Sequence, residues 1–469
     1  MKLKKILAGV LAANICLSLC ACGEIAKKDK SELDSLIGSS QSDSKTDSAA
    51  DDSSKDDSSQ IEIKTTPSEL YELMKGYETK LDISPEFFEW CVETTGDTEF
   101  IEKVYNDISA NGYSDDKWYS YSGMTVKATK DLYSGIAYTQ DNYYVLDGDG
   151  EDGISLIFGG DINLDDTYYP MERLSELGSD IEKCISPYLI EKLNGADIAS
   201  LNSEFCFSDR GTPMAGKQWT FRGKTENIWI YEKLGLDIVL LANNHIFDFG
   251  EDAFYDTLDT LTNAGIEYMG AGRDIAEASA PVYYIIEGKK IAFVAATRAE
   301  KYILTPEAKE NEPGVLRCYD PAAYLEVIRE AKENADYVVA SVHWGKEHSH
   351  GLEDVQPETG YQYIEAGADV IIGSHAHCLQ GIEYYNGKPI VYNLGNFWFD
   401  GYDIDTGLLE LTINDDDSVT LQFIPASQKN SQTTYVGGEA EGERILQCLR
   451  DYSFNVEIDE NGYITEKIQ

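Results

Sequence analysis

V-V-A-S-V-H-W-G at residues 338–345 and V-I-I-G-S-H-A-H at residues 370–377 decide the fold of this chain. Each begins as an apolar run of strand length and leads into histidine, and a helical segment lies between them. Two histidines at positions i and i+2 just beyond a strand can turn toward one cation, because backbone that has left the pleat need not alternate faces. All six histidines fall between residues 245 and 377. This concentration favours a metal site over scattered core imidazoles; the alternative is a loop that happens to be rich in histidine.

Three further apolar runs end in the same way, each followed within a few residues by side chains that can ligate a metal. They are Ile154–Phe158, followed by Asp161 and Asn163; Ile198–Leu201, followed by Glu204; and Ile238–Ala242, followed by Asn244 and His245. Taken singly, Asp161 could form a turn, Glu204 could be a solvated loop acid and Asn244 could cap a helix. In open α/β sheets, sites assemble outside the carboxyl ends of the strands. Together, the runs therefore predict one metal site in a layered α/β domain.

Amphipathic stretches between the strands predict the helices of this domain. Asp320-Pro321, for example, supplies a cap and a first-turn proline. Helices are predicted over 251–264, 322–334, 357–366 and about 439–452, and an alternating hairpin is predicted over 408–413 and 419–424.

The first 22 residues predict a targeting segment rather than a part of the fold. Three lysines among the first five residues precede a short apolar run, which ends in L-C-A-C-G at 19–23. This pattern resembles a bacterial lipoprotein signal with Cys22 as the lipid-bearing first residue of the mature chain. The alternative is ordinary secretion with cleavage near Ala21. We expect an extracytoplasmic protein, lipid-anchored to the outer face of the bacterial cell membrane.

Composition divides the rest of the chain. Residues 23–60 are rich in serine and aspartate and predict a disordered tether. Residues 61–150 have helical periodicity and predict a small, mostly helical domain, with an acidic linker at its end that departs from a calcium loop at the required glycine and glutamate. The α/β domain is predicted to span 154–425, and 426–469 to form a C-terminal extension of a helix and a strand.

Net charge and cysteine spacing exclude several classes of protein. The formal net charge is −46, so repulsion opposes contact with nucleic acid. The six cysteines after Cys22 include no C-x-x-C pair, which excludes a zinc knuckle and argues against a disulfide framework. An anionic substrate would need a local positive site, and bound cations would supply one.

Longer phrases around the strand ends resemble a known family. The order Gly-Asp, acid, Asn-His, His and His-x-His is similar to that of the calcineurin-like metallophosphoesterases. The chain resembles still more closely the CapA-type proteins of poly-γ-glutamate capsule biosynthesis, in the phrases L-A-N-N-H-I-F-D-F-G (241–250), G-A-D-V-I-I-G-S-H-A-H-C-L-Q-G-I-E (367–383) and Y-N-L-G-N-F-W-F-D (392–400). The resemblance covers roughly 154–425 and implies an α/β fold of the metallophosphoesterase type, a four-layer αββα sandwich.

The resemblance also implies a site for two divalent metal ions. The ligands that it implies are Asp161 and His377, with Asn163, for one ion; Asn244, His343 and His375 for the other; and Glu204 as a bridge between them. Mixed nitrogen and oxygen ligands without thiolate favour Mn, Zn or Fe over Ca or Mg. Asn163 stands where phosphoesterases outside the family usually have histidine, and an asparagine carbonyl can still ligate.

Other side chains are candidates for roles beside the metals. His245 follows a presumed ligand and is placed to protonate the leaving group; Asp248 would orient it, unless Asp248 only caps a helix. Arg222 would bind an anionic group of the substrate, unless it is a plain surface arginine. His348 and His350 are predicted to lie at the rim.

We therefore expect metal-dependent hydrolysis of an ester or amide in an anionic polymer or phosphate ester. By resemblance, the role lies in the synthesis, export or trimming of poly-γ-glutamate or another capsular polymer. One alternative is a non-catalytic accessory subunit that binds polymer beside a membrane capsule synthase. Another is a surface phosphatase or nucleotidase, which would share the metal centre but not the partner.

Overall fold

The computed structural model describes residues 65–77, 85, 88, 92, 99–113, 143–146 and 153–467, except 287, 301–304 and 415. The predicted signal peptide with Cys22, the tether and most of the acidic linker lie outside the described residues. Within these ranges, no helix combines the length and the apolarity needed to cross a bilayer.

From residue 153 onward the described chain alternates strands and helices. The strands are β1 (Tyr143–Leu146), β2 (Ile154–Ile162), β3 (Ile198–Ser203), β4 (Cys206–Phe207), β5 (Arg222–Gly223), β6 (Ile238–Leu240), β7 (Glu267–Met269), β8 (Ala271–Gly272), β9 (Val282–Ile286), β10 (Lys289–Thr297), β11 (Gly314–Val315), β12 (Tyr337–His343), β13 (Val370–Ser374), β14 (Ile382–Tyr385), β15 (Lys388–Val391), β16 (Asn396–Trp398), β17 (Ile404–Ile413), β18 (Val419–Lys429), β19 (Gln432–Tyr435), β20 (Val456–Ile458) and β21 (Tyr463–Glu466). The helices are α1 (Pro67–Met74), α2 (Phe100–Asn111), α3 (Tyr169–Glu176), α4 (Ile181–Cys184), α5 (Pro187–Gly195), α6 (Trp229–Leu234), α7 (Glu251–Ala264), α8 (Ile275–Ser279), α9 (Ala322–Asn334), α10 (Val355–Ala366) and α11 (Ala440–Tyr452), and a 3₁₀ turn spans Thr225–Ile228.

Two large sheets form the centre of the fold. The first has the strand order β1-β9-β10-β12-β13-β15-β14; the second has the order β20-β21-β18-β17-β2-β3-β6-β7, with β16 beside β2 and β19 beside β18. In the first sheet β10, β12, β13 and β15 run parallel, and in the second β2, β3, β6 and β7 do. Because these strands run in the same direction, their carboxyl ends lie at one edge of each sheet, and long crossover connections join them.

Three apolar clusters hold the layers together. One lies between the sheets and contains Phe158 from the second sheet and Phe293 from the first. Another packs α3 to α7 on the outer face of the second sheet, through residues such as Leu201 and Phe254. The third packs α9 and α10 on the outer face of the first sheet. Both faces of the central strands are therefore buried, and the expected four-layer αββα sandwich is confirmed.

The predicted elements of the sandwich are present with small shifts. All five runs that precede candidate ligands form strands, namely β2, β3, β6, β12 and β13. Helices α7 and α9 coincide with the predicted ranges, and α10 begins two residues earlier than predicted, at Val355. The predicted hairpin is the central part of a longer pair, in which β17 and β18 are in register from Ile404–Gln428 to Ile413–Val419.

The segments on either side of the sandwich pack closely against it, and Pro67–Gln469 form one compact unit. Helices α1 and α2 meet through Leu70 and Phe100, and Ile285 of β9 joins the same cluster. Strand β1 pairs with β9, so the region 61–150 also contributes a strand to the first sheet. At the other end, β18 continues past residue 425, the predicted end of the α/β domain, and Leu446 of α11 is part of the core between the sheets.

Candidate metal centre

Side chains from both sheets meet at one edge of the sandwich. Asn244 follows β6 of the second sheet, and its Oδ1 lies 2.8 Å from Nε2 of His343, the last residue of β12 in the first sheet. Asp161 in β2 and Glu204, just after β3, come from neighbouring strands of the second sheet, and both are fully buried. The strand ends singled out in the sequence therefore converge.

A close backbone approach places Asp161. A Cβ atom on Gly160 would lie 1.7 Å from the carbonyl oxygen of Gly395, so no side chain fits there. The backbone N–H of Asp161 donates to that same carbonyl at 2.9 Å. Strand β16 runs parallel to β2 with Asn396 opposite Asp161. Glycine at position 160 thus permits the close backbone approach of β2 and β16 that sets Asp161 beside Asn396.

Glu204 lies at the centre of the cluster. Its Oε1 is 3.4 Å from Nε2 of His343, 3.8 Å from Nε2 of His377 and 4.0 Å from Nε2 of His245. Among the described residues, this oxygen has no hydrogen-bond partner. A buried carboxylate oxygen ringed by imidazole nitrogens, without a hydrogen bond to any of them, has the surroundings of a metal ligand.

Asn202 connects the two carboxylates. Its Nδ2 donates to Oδ1 of Asp161 at 2.7 Å and to Oε2 of Glu204 at 3.1 Å. Asn243 donates to Oδ1 of Asn202 at 3.2 Å, which fixes the orientation of the Asn202 amide. One oxygen of each carboxylate is thus oriented by a donor. Within the described part of the chain Oε1 of Glu204 accepts no hydrogen bond, and the close polar neighbour of Oδ2 of Asp161 is Nδ1 of His377, at ion-pair distance.

His375 and His377 reach the carboxylates through left-handed backbone. Their φ angles are 92° and 54°, values that are strained for residues with a side chain. Nδ1 of His377 lies 2.7 Å from Oδ1 of Asn396 and 3.1 Å from Oδ2 of Asp161. Nδ1 of His375 is buried and lacks a hydrogen-bond partner among the residues described. Strain of this kind persists where the surrounding structure imposes it, and it clusters at functional sites.

Burial and proximity shift the pKa values of the cluster in different directions. Burial, and after it the charge of Asp161, raises the pKa of Glu204 well above its usual value. Burial and the neighbouring histidines lower the pKa of His343 and of His375 well below 6.5. For His377, burial lowers the pKa, but the carboxylates of Glu204 and Asp161 outweigh it and raise the pKa to about 10. These directions favour the neutral, metal-binding form of His343 and His375 and the protonated form of His377, so a metal ion would have to displace a proton from His377.

His245 is held beside the cluster by Asp248. Nδ1 of His245 lies 2.6 Å from Oδ2 of Asp248, which also accepts the backbone N–H of Phe221 at 2.8 Å. Oδ1 of Asp248 lies 2.7 Å from Nζ of Lys217. Burial lowers the pKa of His245, although Asp248 acts to raise it. The geometry leaves Nε2 of His245 facing the cluster.

Among the described residues, two groups of side chains have ligating atoms that all lie within 4.8 Å of one another. The groups are Glu204, His375 and His377, and Asp161, Glu204 and His343. Both contain Glu204, as a bridging carboxylate would require. These groups report proximity only, and Asp161 Oδ2 also lies 3.1 Å from Nδ1 of His377, so the pairing of ligands that the resemblance implies stays a prediction. Three of the nine buried side-chain atoms that have no hydrogen-bond partner among the described residues belong to these groups, namely Oδ2 of Asp161, Oε1 of Glu204 and Nδ1 of His375, so the residues present fit a divalent metal.

Asn163 and Arg222 have protein partners of their own. Oδ1 of Asn163 accepts the backbone N–H of Asp165 at 2.8 Å. The half-buried guanidinium of Arg222 donates to the carbonyl of Arg210 at 2.7 Å and lies 4.3 Å from the ring of Phe249. The structure therefore ties both side chains to nearby loop residues.

His348 and His350 point to different places although they lie two residues apart. The ring of His348 is exposed and lies 5.9 Å from the ring of His377, at the rim of the cluster. Nδ1 of His350 lies 2.7 Å from the carbonyl of Leu379, and its ring stacks on Tyr452 at 4.6 Å. Only His348 of this pair borders the cluster.

The sequence prediction omitted three residues that orient the site. Asn202 lies at the end of β3, two residues before Glu204, so its position in the sequence was a usable signal. Asn396 begins β16 and meets Asp161 only through strand pairing, which the sequence does not show. Lys217 lies in the loop between β4 and β5, and its sequence neighbours give no sign that its side chain is only 5% exposed.

A family model described as bacterial capsule synthesis protein PGA_cap matches residues 155–401, a range that contains every candidate ligand. The chain belongs to this family. Over 252 residues it is 32% identical to the PGA biosynthesis protein CapA of Bacillus subtilis (strain 168), an alignment covering 53% of this chain and 64% of that protein. Over 289 residues it is 29% identical to the capsule biosynthesis protein CapA of Bacillus anthracis, covering 59% and 69%. The chain thus spans about two thirds of the length of these relatives, and the resemblance drawn from the motifs is confirmed.

One solved structure, a hypothetical protein from Thermus thermophilus, matches 58% of this chain and 99% of its own, with 13% identity and a TM-score of 0.37. A likeness this weak supports no inference about the chain.

Proposed function

We propose that this capsule synthesis family member is a lipid-anchored protein that hydrolyses an ester or amide bond in an anionic substrate at a dinuclear metal centre. One observation carries the proposal: Oε1 of Glu204 is buried, has no hydrogen-bond partner among the described residues, and is surrounded by three imidazole nitrogens at 3.4–4.0 Å. An unpaired buried carboxylate opposes folding unless a cation satisfies it.

The ligand groups suggest how two ions would be held. Glu204 belongs to both groups. In one group it is joined by His375 and His377, which follow β13 of the first sheet, and in the other by Asp161 of the second sheet and His343 of the first. Divalent Mn, Zn or Fe suits such nitrogen and oxygen donors. When bound, the ions would supply a water that ionises near neutral pH and positive charge for the reacting oxygens.

The chain's own residues would handle the proton of the leaving group. Nδ1 of His245 is engaged by Asp248, so Nε2 is the nitrogen available to the cluster, 4.0 Å from Oε1 of Glu204. A positioned imidazole that protonates the leaving group contributes about 10²–10⁴-fold to the rate. His245 would be that acid, and Asp248 would fix its orientation.

A second candidate is a non-catalytic accessory role, in which the metal cleft binds an anionic polymer beside a membrane capsule synthase. Asn163 favours it: this residue stands where phosphoesterases outside the family usually have histidine, and its carbonyl is already engaged by Asp165. One ion would then have fewer ligands, which suits binding better than turnover.

A hydrolysis screen separates these functions. The purified protein is incubated with added Mn²⁺, and in parallel with chelator, on phosphomonoesters, phosphodiesters, nucleotides and γ-linked polyglutamate. We expect metal-dependent turnover of at least one substrate, lost in His245→Ala and retained in His350→Ala, because His350 is turned toward Tyr452. Turnover that survives in His245→Ala rejects the acid assignment. The absence of turnover on every substrate rejects hydrolysis in favour of the accessory role, and turnover of nucleotides alone identifies a surface nucleotidase.

A further inference from the structure

Lys217 is a buried cation for which the proposed hydrolysis has no assigned use. Its side chain is 5% exposed, although most residues of its loop, between β4 and β5, are exposed. Nζ lies 2.7 Å from Oδ1 of Asp248 and 3.8 Å from Oε1 of Glu300, and it donates to the backbone carbonyl of Asn244. A buried ammonium is stable only when it is paired, so these contacts fix its place.

We propose that Lys217 is a positioning residue that sets the tautomer of His245 and holds the peptide between Asn244 and His245. The ion pair with Lys217 engages one oxygen of Asp248 as a carboxylate, and a carboxylate only accepts hydrogen bonds. The other oxygen lies 2.6 Å from Nδ1 of His245, so the ring must carry its N–H on Nδ1. Nε2 is then the nitrogen that faces Glu204.

The second contact of Lys217 acts on the backbone. Its ammonium and the hydroxyl of Thr305, at 2.8 Å, both donate to the carbonyl of Asn244. The same residue places its side-chain oxygen 2.8 Å from Nε2 of His343. Lys217 therefore restrains a presumed ligand and the presumed acid together, from one position on a neighbouring loop.

Further hydrogen bonds hold that loop against the turn that follows His245. The backbone N–H of Met214 donates to the carbonyl of Asp248 at 2.8 Å, and that of Phe221 donates to Oδ2 of Asp248 at 2.8 Å. The lysine thus enters the site from an anchored loop, as a positioning residue requires.

The decisive test reads the His245 tautomer in the metal-free protein and needs no turnover. With ¹⁵N-labelled histidine the chain has six imidazoles, and His245→Gln identifies the signals of His245 in long-range ¹H–¹⁵N spectra. The spectra are taken at pH 8, above the ordinary histidine pKa of about 6.5. We expect N–H on Nδ1 in the wild type and in Lys217→Arg, and a shift toward N–H on Nε2 in Lys217→Met.

Lys192→Met is the matched control, because it removes a lysine that pairs with Glu410 at 2.7 Å away from the site. Its His245 signals should equal those of the wild type. Where Lys217→Met does not fold, Lys217→Gln replaces it, since its amide can still donate to the carbonyl of Asn244. An unchanged tautomer in the folded variant overturns the proposal.

The role of His245 as an acid rests on the proposed function, so it is tested in a separate kinetic experiment. Lys217→Met should lower kcat by about 100-fold and change KM by less than about threefold, since positioning of the acid matters in the transition state. A change in KM alone contradicts positioning. If the wild type hydrolyses nothing, the proposed function fails while the tautomer still decides the role of Lys217.

Discussion

Replacing Glu204 by glutamine separates the instability of the metal-free cluster from the stabilisation that metal provides. The amide keeps the shape of the side chain and cannot ionise, whereas the carboxyl group of Glu204 is fully buried beside Asp161, where ionisation is disfavoured. Burial raises the pKa of Glu204, so the wild-type protein loses stability as pH rises above the ordinary glutamate value of 4.5. At pH 8 in chelator, we expect Glu204→Gln to be more stable than the wild type by about 1–3 kcal/mol.

Metal should reverse this order. With Mn²⁺ at about 100 times its Kd, binding stabilises the wild type by about 2.7 kcal/mol. An unfolding entropy of about 2.1 cal/mol/K per residue, over a compact unit of about 400 residues, converts that to a rise in Tm of about 3 °C. Both ligand groups lose their shared carboxylate in the variant, so its Tm should rise by less than about 1 °C.

Scanning calorimetry with chelator and with Mn²⁺ measures both effects. Glu383→Gln is the matched control, because Glu383 is also buried but accepts hydrogen bonds from Tyr361 and Tyr392, both at 2.8 Å. That variant should lose stability equally in both conditions. A rise in Tm with Mn²⁺ that is as large in Glu204→Gln as in the wild type would refute the assignment of Glu204 as a ligand.

Three further predictions concern the backbone beside the site, the pH dependence of stability and the anchor. Gly160→Ala forces a methyl group against the carbonyl of Gly395, so it should lower the free energy of unfolding in urea by about 3 kcal/mol and weaken Mn²⁺ binding. A methyl group at Gly195 meets no atom within 4 Å, so Gly195→Ala should be near neutral. Burial raises the pKa of Glu267 to about 7, so the protein loses stability as pH rises from 4.5 through 7. Glu267→Gln should therefore raise the free energy of unfolding by about 2 kcal/mol at pH 8.5 and leave it unchanged at pH 4. Equal effects at the two pH values would exclude ionisation of Glu267 as the cause. Cys22→Ala should move the protein from the membrane to the aqueous phase of a detergent partition; retention in the membrane phase would exclude lipidation at this residue.

The sequence was sufficient to predict that these side chains converge, because the information is local to each strand. An apolar run followed by Asp161, Glu204 or His343 is readable without knowing which strands are neighbours. The rule that parallel strands place their carboxyl ends at one edge then brings the residues together. Chain order and spacing thus predicted the location of the cluster and the layers around it.

The mutual distances of the candidate ligands were not readable from the sequence, because they depend on side-chain direction. The left-handed backbone at His375 and His377 turns their rings in a way that no alternation rule describes. Lys217 was missed for a related reason: its contacts with Asp248 and Asn244 cross from one loop to another. Contacts of that kind arise only once tertiary packing has brought the two loops together.

The side chains of the cluster come from two sheets, so the distances between candidate ligands of one sheet are fixed more rigidly than the distances between candidate ligands of different sheets. Within the second sheet, backbone pairing sets Asp161 opposite Asn202, so the carboxylate beside it has a fixed register. No backbone ladder joins Asn244 to His343 across the sheets, and their separation depends on the apolar core between them. In that core the rings of Phe158 and Phe293 lie 6.5 Å apart. A change of core volume there should therefore shift the distances between sheets, and with them metal affinity, before it disturbs the distances within either sheet.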